Sequence, residues 1–421
     1  MKKIINQQLQ RLLFSTLALF TLLAVSCTKG VRGSDAEEMG INIQGTLTTE
    51  LGTSEENHLD SLYLYDVQSE VYHYLTPLTA LPLESDGLGG YTFNYSDSTL
   101  RAQVFYLSTS PGSADLYGED PNGAYLFLTK GTNKLQLVQR EQGLQITYPE
   151  EEGQSTGRQY QEYKKQLDQL TNKAKIDSLD LLFFNALQNQ ELSEADKLKK
   201  ESEALYAAGQ KEAQDWGSSL MQQEPNSLFG IYLYYTYQFS KLDLYHLEDI
   251  EEAQARLESF DDEAQASSYA RWIKAQLEAK AKSAIGQVAP DLTGTTPEGE
   301  TKQLSDYRGT YLLLDFWSST CTWCRKEVPM LKQALQTYQA KGLTILGVSS
   351  DTDREAWLQA IKEDHATWEH LILTPEEKDA TFRTYTITGI PQILLIAPDG
   401  TILAKGLRGE AILTALATHL H

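Results

Sequence analysis

Two cysteines, Cys321 and Cys324, stand three residues apart in this 421-residue chain, which contains one other cysteine, Cys27. The spacing predicts that Cys321 lies at the start of a helix, where free backbone N–H groups and the helix dipole stabilise a thiolate. Cys324 would lie one turn further in, close enough to form a disulfide, and this arrangement favours reversible thiol–disulfide exchange. Two alternatives are an inert structural disulfide and a zinc site, although His365 and His370 lack a zinc-finger spacing.

Two acidic residues flank the cysteine pair in the sequence. Asp315 falls in the apolar run 311–317, which predicts a buried strand shortly before Cys321. Because burial raises the pKa of a carboxyl group, Asp315 either accepts the proton of Cys324 or only forms a hydrogen bond at the end of its strand. Glu327 either tunes the thiols or only favours the first helical turn electrostatically.

Strands and helices alternate across residues 286–421, the region that contains Cys321 and Cys324. The predicted strands are apolar or alternating runs at 311–317, 343–349, 392–397 and 401–407. The predicted helices have apolar residues with a helical period, at 321–340, 353–364, 377–385 and 410–420. This alternation predicts an α/β domain whose sheet is covered on both faces. His365 and His370 fall between the predicted elements, and we expect them on a solvated face.

Four motifs follow one another in this region. In chain order they are Gly286-Gln-Val-Ala-Pro-Asp, Asp315-Phe-Trp, Cys321-x-x-Cys324-Arg-Lys-Glu-x-Pro and Tyr385-Thr-Ile-Thr-Gly-Ile390-Pro391. Together they resemble the thioredoxin superfamily, specifically its TlpA/ResA-like thiol–disulfide oxidoreductases. The sequence departs from that family at Thr322-Trp323, where Gly-Pro or Pro-Pro is commoner, and at Thr320, where Trp is usual. Reduction potentials of such pairs span about −270 to about −120 mV, so the motif alone leaves the direction of exchange open.

The resemblance implies an activity and the residues that perform it. Cys321 would attack a substrate disulfide, and Cys324 would resolve the mixed disulfide with Asp315 or its water as proton acceptor. We expect no cofactor. The partners would be protein disulfide substrates, such as apocytochrome c and damaged envelope proteins, and a membrane or periplasmic electron donor. Because Thr322-Trp323 is uncharged, the helix dipole and Arg325 would set a moderate thiol pKa, which favours a reductase.

The loop around Pro391 is expected to bind the substrate. The resemblance implies a cis Ile390–Pro391 bond beside the cysteines. The backbone around Ile390 would then pair with an extended substrate as an added strand. Trp317 and Trp323 either contact the substrate or pack in the core. A substrate would therefore be recognised mainly through its backbone.

The N-terminus carries the pattern of an export signal. A basic start precedes an apolar run at 12–25, which at about 1.5 Å per residue is too short for a bilayer core of about 30 Å. The run ends in Leu23-Ala-Val-Ser-Cys27, which resembles a bacterial lipobox, where the cysteine is acylated. We therefore expect a lipoprotein signal peptide at 1–26, a lipid-anchored tether at 27–40 and a periplasm-facing location in the cell envelope. An ordinary signal peptide is the alternative.

Two regions of different periodicity lie between the tether and the α/β domain. Residues 41–150 alternate apolar and polar side chains in short runs, which predicts an antiparallel β-sandwich. Residues 155–285 have a helical period, with a predicted capping box at Ser193-Glu-Ala-Asp196 and a helix start at Pro225-Asn-Ser227. The many tyrosines either pack in the strands or form a ligand platform, and the aromatic helix from Leu228 is either core or a cofactor site. The predicted fold is therefore multidomain, with a β-sandwich, a helical region and an α/β thioredoxin fold.

Charge and cysteine content limit the other functions. The 36 Lys and Arg residues against 58 Asp and Glu residues give a net charge of −22, which argues against nucleic-acid binding through a basic surface. Three cysteines are too few for a disulfide-stapled scaffold. A thiol peroxidase of the same superfamily stays open, although Leu314 and Ser318 stand where peroxiredoxins have Pro and Thr. The third possibility is a non-enzymatic binding lipoprotein that acts through its β region.

Overall fold

The structure is a computed structural model, and it describes residues 40–50, 59–66, 77–87, 90–110, 123–140, 143–149 and 155–420. The predicted signal peptide at 1–26, Cys27 and the predicted tether up to residue 39 lie outside these ranges. No helix within the ranges has both the length and the apolar character needed to cross a membrane. Export and acylation therefore stay predictions.

The chain divides into two compact units. Within the described ranges, the first unit contains residues up to 242 together with 256–273. The second unit contains 243–255 together with the residues from 274 onward. The predicted domain boundaries, at 41–150, 155–285 and 286–421, stay predictions.

The first part of the chain is rich in β-structure, as predicted. Its strands are β1 (Ile41–Thr49), β2 (Ser61–Asp66), β3 (Thr79–Pro82), β4 (Glu84–Ser85), β5 (Gly90–Asp97), β6 (Gln103–Ser108), β7 (Gly123–Leu128), β8 (Gly131–Arg140) and β9 (Gly143–Thr147). One sheet has the order β4-β5-β1-β8-β9 and another the order β3-β2-β6-β7. Both sheets bury apolar side chains in one core, with Ile41 and Leu135 from the first sheet and Leu62 and Phe105 from the second.

The prediction that these strands are antiparallel is wrong for one pair. β1 is antiparallel to β5 but parallel to β8, from Ile41 opposite Gly131 to Thr49 opposite Gln139. The chain passes through the second sheet between β1 and β8, and parallel strands require such a crossover. Alternation of apolar residues fixes which face of a strand is buried but not the direction of its neighbour.

A run of helices follows the strands. They are α1 (Thr156–Leu170), α2 (Lys173–Gln188), α3 (Leu192–Gln223), α4 (Leu228–Tyr237), α5 (Leu247–Glu258), α6 (Asp262–Gln265) and α7 (Ser268–Lys282). The predicted start of α4 is confirmed, because the Ser227 hydroxyl accepts a hydrogen bond from the Gly230 N–H at 3.0 Å. The predicted capping box is wrong, because α3 begins at Leu192 and Ser193 therefore lies inside the helix.

Aromatic rings fill the core of the first unit. Phe127, Tyr160, Tyr232 and Tyr269 form neighbouring ring pairs with centroids 5.6 to 6.1 Å apart. Most of α4 is buried as well, including Tyr234, which is 1% exposed. The interpretation of the aromatic helix as core is therefore confirmed.

The second unit contains a mixed sheet with the order β11-β10-β14-β13-β12-β15-β16. Its strands are β10 (Thr293–Thr295), β11 (Thr301–Gln303), β12 (Tyr311–Trp317), β13 (Leu343–Ser349), β14 (Glu369–Ile372), β15 (Gln392–Ile396) and β16 (Ile402–Lys405). β12 is parallel to β13 and antiparallel to β15. β12 and β13 have the predicted bounds, whereas the sequence pattern missed the short strands β10, β11 and β14.

Helices cover both faces of this sheet, as predicted. They are α8 (Thr322–Tyr338), α9 (Arg354–Glu363), α10 (Pro375–Tyr385) and α11 (Glu410–His419). Alternate residues of β12 enter two different cores. Leu312 and Leu314 pack on one side with residues such as Tyr385 of α10. Leu313 packs on the other side with residues such as Leu331 of α8. The α/β architecture therefore places the start of α8 directly after β12, an interior strand of the sheet.

Candidate functional site

The cysteine pair lies at the start of α8. Cys321 is the residue before the first helical turn, and its sulfur accepts a hydrogen bond from the Cys324 N–H at 3.1 Å. A disulfide joins the two residues; Cys321 is half-buried, and Cys324 is only 2% exposed. After reduction, Cys321 is therefore the thiol that a substrate can reach, and the N–H group and the helix dipole stabilise its thiolate.

The side chains that follow the pair are already engaged with other groups. Arg325 donates hydrogen bonds to Asp364 at 2.9 and 2.8 Å and to Glu363 at 2.9 Å. Hydrogen bonds to these two carboxylates raise the pKa of Arg325 further above its ordinary value. Lys326 lies over the ring of Trp323, with Nζ 4.1 Å from the ring centroid. Because two carboxylates neutralise Arg325, the expectation that it assists the thiolate is not supported.

Asp315 lies in the middle of β12, between Gly347 of β13 and Ile393 of β15. It is 5% exposed, and its Oδ1 atom has no hydrogen-bond partner among the described residues. Burial raises the pKa of Asp315 to about 7, while Arg408 lowers it and Glu327 raises it by smaller amounts. A carboxyl group that titrates near neutral pH can accept a proton from a thiol. The predicted burial of Asp315 is confirmed, and burial is the main cause that raises its pKa.

Glu327 lies beyond the first turn of α8, which begins at Thr322. Its Oε2 atom accepts a hydrogen bond from the Gly409 N–H at 2.8 Å. It therefore contacts the segment before α11 and acts on Asp315 through its charge. The alternative that it only favours the first helical turn does not fit this position.

The Ile390–Pro391 peptide bond is cis, as predicted. The Ile390 carbonyl oxygen lies 3.7 Å from the Cys321 sulfur. Pro391 is buried, whereas Thr388 and Gly389 are exposed. The backbone just before Pro391 is therefore open to solvent and adjacent to the Cys321 sulfur.

The two tryptophans near the pair differ in exposure. Trp317 is 5% exposed and packs in a cluster with Cys324, Trp357 and Ala360. Trp323 is 69% exposed. A side chain buried to this extent offers a substrate almost no surface, so we assign Trp317 to packing around Cys324. Trp323 stays the predicted substrate contact.

His370 is a buried residue that the sequence pattern misplaced. It lies on β14 opposite Gly347 and is 4% exposed. Its ring centroid lies 5.5 Å from that of Trp317 and 5.7 Å from that of Trp368. Burial lowers the pKa of His370 to about 4, and the backbone of Ala366, whose approach to the ring does not have the geometry of a hydrogen bond, opposes this more weakly. The expectation of a solvated face is therefore wrong for His370.

Disulfide exchange is the chemistry that this arrangement can perform. This exchange requires an accessible sulfur that can form a thiolate and a second sulfur that can pair with it, and Asp315 adds a buried acid of raised pKa on the strand before them. In the part of the chain that the structure describes, no group of three or more His, Cys, Asp or Glu side chains is placed to hold a metal ion.

Residues 285–405 match the model of the AhpC/TSA family. The C-terminal region is a thioredoxin-like domain of this family. Curated relatives of this thioredoxin-like domain are named thiol-disulfide oxidoreductase ResA. The protein of that name from Bacillus thuringiensis subsp. konkukian (strain 97-27) is 27% identical over 139 residues, which cover 33% of this chain and 78% of that protein. The one from Oceanobacillus iheyensis is 30% identical over 123 residues, which cover 28% of this chain and 62% of that protein.

Solved structures of similar sequence belong to proteins of the same description. The thioredoxin domain of a thiol-disulfide oxidoreductase from Bacteroides vulgatus is 39% identical and covers 33% of this chain and 99% of its own, with a TM-score of 0.32. A thiol-disulfide oxidoreductase from Bacteroides fragilis NCTC 9343 is 34% identical and covers 31% of this chain and 98% of its own, with a TM-score of 0.30. The family match and the curated relatives confirm, for the C-terminal region, the resemblance to ResA-like oxidoreductases that the four motifs carry.

Proposed function

We propose that this protein is a membrane-anchored thiol–disulfide oxidoreductase that reduces disulfides of cell-envelope proteins. The observation that supports this activity most directly is the position of Cys321, half-buried at the start of α8, with the Cys324 N–H donating to its sulfur. The description of the ResA relatives points to the same reaction. The redox-active group is therefore the Cys321–Cys324 disulfide.

In the proposed reaction, the thiolate of Cys321 attacks a substrate disulfide. The substrate S–S bond breaks, one substrate sulfur leaves as a thiolate, and the other stays bound to Cys321. Cys324 then passes its proton to Asp315 and attacks the sulfur of Cys321, which releases the second substrate sulfur. Two electrons have passed to the substrate, and a separate membrane or periplasmic donor must reduce the pair again.

We assign substrate binding to the surface around the reactive sulfur. The exposed backbone before Pro391 and the Ile390 carbonyl can pair with an extended segment of the substrate, as an added strand does. The exposed ring of Trp323 lies on the first turn of α8, two residues after Cys321. Together these groups favour an unfolded or extended protein segment over a small molecule.

The anchor and the domain arrangement belong to the same proposal. Cleavage after residue 26 would leave Cys27 as the acylated N-terminus, with 27–40 as a tether. The regions 41–150 and 155–285 would be separate domains that face other envelope proteins. Incorporation of labelled palmitate into the wild type and into Cys27→Ala tests the anchor; equal labelling of the two would contradict it.

Reduction of insulin by dithiothreitol tests the activity. We expect the full-length protein to accelerate insulin precipitation and Cys321→Ser to lose that acceleration, because serine cannot form the mixed disulfide. Tyr163→Phe, in the other unit, is the matched control and keeps the wild-type rate. A wild-type protein that does not accelerate the reaction contradicts the proposed function and favours the non-enzymatic binding lipoprotein.

A thiol peroxidase is the second candidate, because the matching family is AhpC/TSA. Against it, the sequence has Leu314 and Ser318 where peroxiredoxins have Pro and Thr, and Leu314 is fully buried in the core. Thiol-dependent consumption of hydrogen peroxide, measured beside insulin reduction, separates the two. Peroxide consumption without insulin reduction would favour the peroxidase.

We further propose that the protein acts as a reductase. The dipeptide Thr322-Trp323 carries no charge, so the helix dipole and the Cys324 N–H group are left to stabilise the thiolate of Cys321. Such a thiolate is only moderately stabilised, which corresponds to a low reduction potential. Equilibration with glutathione buffers measures that potential, and a value above about −150 mV would make the protein an oxidase.

A further inference from the structure

Unpaired polar atoms lie together on one face of the second unit's sheet. Asp315 Oδ1, Trp317 Nε1 and both ring nitrogens of His370 are buried and have no hydrogen-bond partner among the residues that the structure describes. Buried polar atoms in proteins are hydrogen-bonded in the great majority of cases. Four unpaired atoms on β12 and β14, the strands on either side of β13, therefore point to a role in the chemistry of the nearby cysteine pair.

Strand register places Asp315 and His370 on either side of a glycine. Asp315 of β12 lies opposite Gly347 of β13, which lies opposite His370 of β14. Residues opposite each other in parallel strands point to the same face of the sheet. Neighbouring strands are about 4.8 Å apart, so the two backbones are about 10 Å apart. Both side chains therefore extend from the same face, with only Gly347 between them.

Gly347 leaves open the space between these two residues. A Cβ atom at this position would lie 2.5 Å from His370 Nδ1 and 3.0 Å from Trp317 Nε1. The imidazole ring of His370 on β14 and the indole ring of Trp317 on β12 therefore both lie above Gly347. This close approach requires glycine, and it brings the imidazole ring toward the strand that carries Asp315.

The same group of side chains reaches the cysteine pair. Trp317 packs in one buried cluster with Cys324. The charged groups that act on Asp315 are Arg408, which lowers its pKa, and Glu327, which raises it. The rings that surround His370 or Trp317 from α9 and the segment before β14 are uncharged, and they belong to Trp357 and Trp368. Through Trp317 the surroundings of His370 thus extend to Cys324, and across Gly347 they extend to the strand that carries Asp315.

We propose that His370 is a positioning residue that acts through Asp315: in the reduced protein its imidazole turns to hydrogen-bond the carboxylate, a bond that this structure with the oxidised pair does not contain, and so prepares it to accept the proton of Cys324. The inference rests on the disulfide exchange proposed above. A neutral imidazole carries one N–H donor and one acceptor nitrogen. Because burial lowers the pKa of His370 to about 4, the ring is neutral at pH 7. A donor to the carboxylate favours its ionised form, so His370 opposes the effect of burial on Asp315.

The step that His370 assists is the resolution of the mixed disulfide. The S–H bond of Cys324 breaks, and its proton moves to Asp315. The sulfur of Cys324 forms a bond to the sulfur of Cys321, and the bond from Cys321 to the substrate sulfur breaks. The substrate sulfur leaves with the electron pair as a thiolate. His370 gains and loses nothing in this step; it sets the pH at which Asp315 is ionised.

The test follows resolution in the full-length protein. Reduced protein reacts with an aromatic disulfide that releases a coloured thiol: Cys321 releases the first equivalent, and attack by Cys324 releases the second. The rate of the second phase is recorded from about pH 5 to about pH 9, which brackets the midpoint of Asp315. For His370→Phe, we expect a higher midpoint and a rate at pH 7 that is about three- to tenfold lower, since one pKa unit is a factor of ten.

Two further variants separate hydrogen bonding from packing. His370→Gln keeps an N–H donor, and we expect its rate at pH 7 to stay within about twofold of the wild type. Trp368→Phe changes the other ring beside His370 without removing a titratable group, and we expect its midpoint to equal that of the wild type. His370→Leu replaces His370→Phe if the latter does not fold.

The possible outcomes separate this inference from the proposed function. An unchanged midpoint in the apolar His370 variant overturns the inference and leaves the oxidoreductase activity standing. An equal shift in Trp368→Phe also overturns it, because packing would then explain the effect. A wild-type protein without a second phase contradicts disulfide exchange itself, and the inference falls with it.

Discussion

In the first unit, Tyr163, Tyr237 and Tyr269 are buried and have hydrogen-bond partners. The hydroxyl groups of Tyr163 and Tyr237 lie 2.6 Å apart, and the Tyr269 hydroxyl accepts a hydrogen bond from the Val104 N–H at 3.1 Å. In the second unit, Asp315 Oδ1 and both nitrogens of His370 have no partner among the described residues. Both units thus bury titratable side chains, but only the second leaves their polar atoms available for chemistry.

The same physical effect has opposite consequences in the two units. Burial raises the pKa of Tyr163 further above its ordinary value, so the phenol is neutral throughout the physiological pH range. Burial raises the pKa of Asp315 to about 7, which brings its titration into that range. Desolvation therefore makes the tyrosine cluster inert and makes the aspartate a proton acceptor, because a phenol starts above neutral pH and a carboxyl group below it.

Cys324→Ser should produce the largest difference between the two units. Without the second thiol, the mixed disulfide at Cys321 cannot be resolved, so we expect turnover with insulin to fall by about a thousandfold or more. Mass spectrometry should detect the trapped adduct on Cys321. Tyr163→Phe should retain full turnover and trap no adduct. Normal turnover in Cys324→Ser would show that the pair does not work by resolution.

Stability should depend on pH through Asp315. Its folded-state pKa of about 7 exceeds the ordinary value of 3.8 for an aspartate, so folding favours the protonated form and the wild type loses stability as the pH rises from about 4 to about 7. Asp315→Asn removes this loss. We expect its free energy of unfolding to exceed that of the wild type by up to about 4 kcal/mol at pH 8, with little gain at pH 4. Calorimetric unfolding of both proteins at the two pH values measures this, and an equal difference at both contradicts the raised pKa.

The same substitution should slow the chemistry. An amide cannot accept the proton of Cys324, and a general base contributes about a hundredfold or more to such a step. We therefore expect Asp315→Asn to resolve the mixed disulfide about a hundredfold more slowly at pH 7. Stopped-flow measurement of the second thiol release tests this. Resolution at the wild-type rate would make Asp315 a structural residue only.

Tyr163→Phe should have the smallest effect. It removes the hydrogen bond to Tyr237, which should cost about 1 kcal/mol of unfolding free energy. The loss should be equal at pH 5 and pH 8, because the phenol is neutral at both. Calorimetry at the two pH values is again the measurement. A pH-dependent loss would mean that the tyrosine cluster titrates, and the contrast between the two units would disappear.

Local sequence patterns predicted much of the redox site. The bounds of β12 and β13, the cysteine at the start of α8 and the buried acid all follow from apolar runs and motif spacing. The cis bond before Pro391 was implied by the resemblance. These features depend on residues close together in the chain, and a pattern of neighbours is what a single sequence contains.

The burial of His370 and Trp317 could not be predicted from local sequence patterns. β14 is four residues long, and its pairing with β13 rather than its own pattern makes it a strand and buries His370. The apolar run Leu371-Ile-Leu373 was the signal available for it. Trp317 is buried because residues of α8 and α9 pack over it. Neither contact follows from the spacing of residues in the chain.

The sequence by itself determined the chemistry, since two cysteines three apart after an apolar strand specify a thiolate at a helix start. Only the tertiary structure decided which groups act on it. Three features join segments that are distant in the chain. β1 pairs with β8 in parallel, Arg325 donates hydrogen bonds to Glu363 and Asp364, and His370 contacts Trp317 above Gly347. Burial and strand pairing are properties of the packed chain, and they set the pKa of each group after the local pattern has placed it.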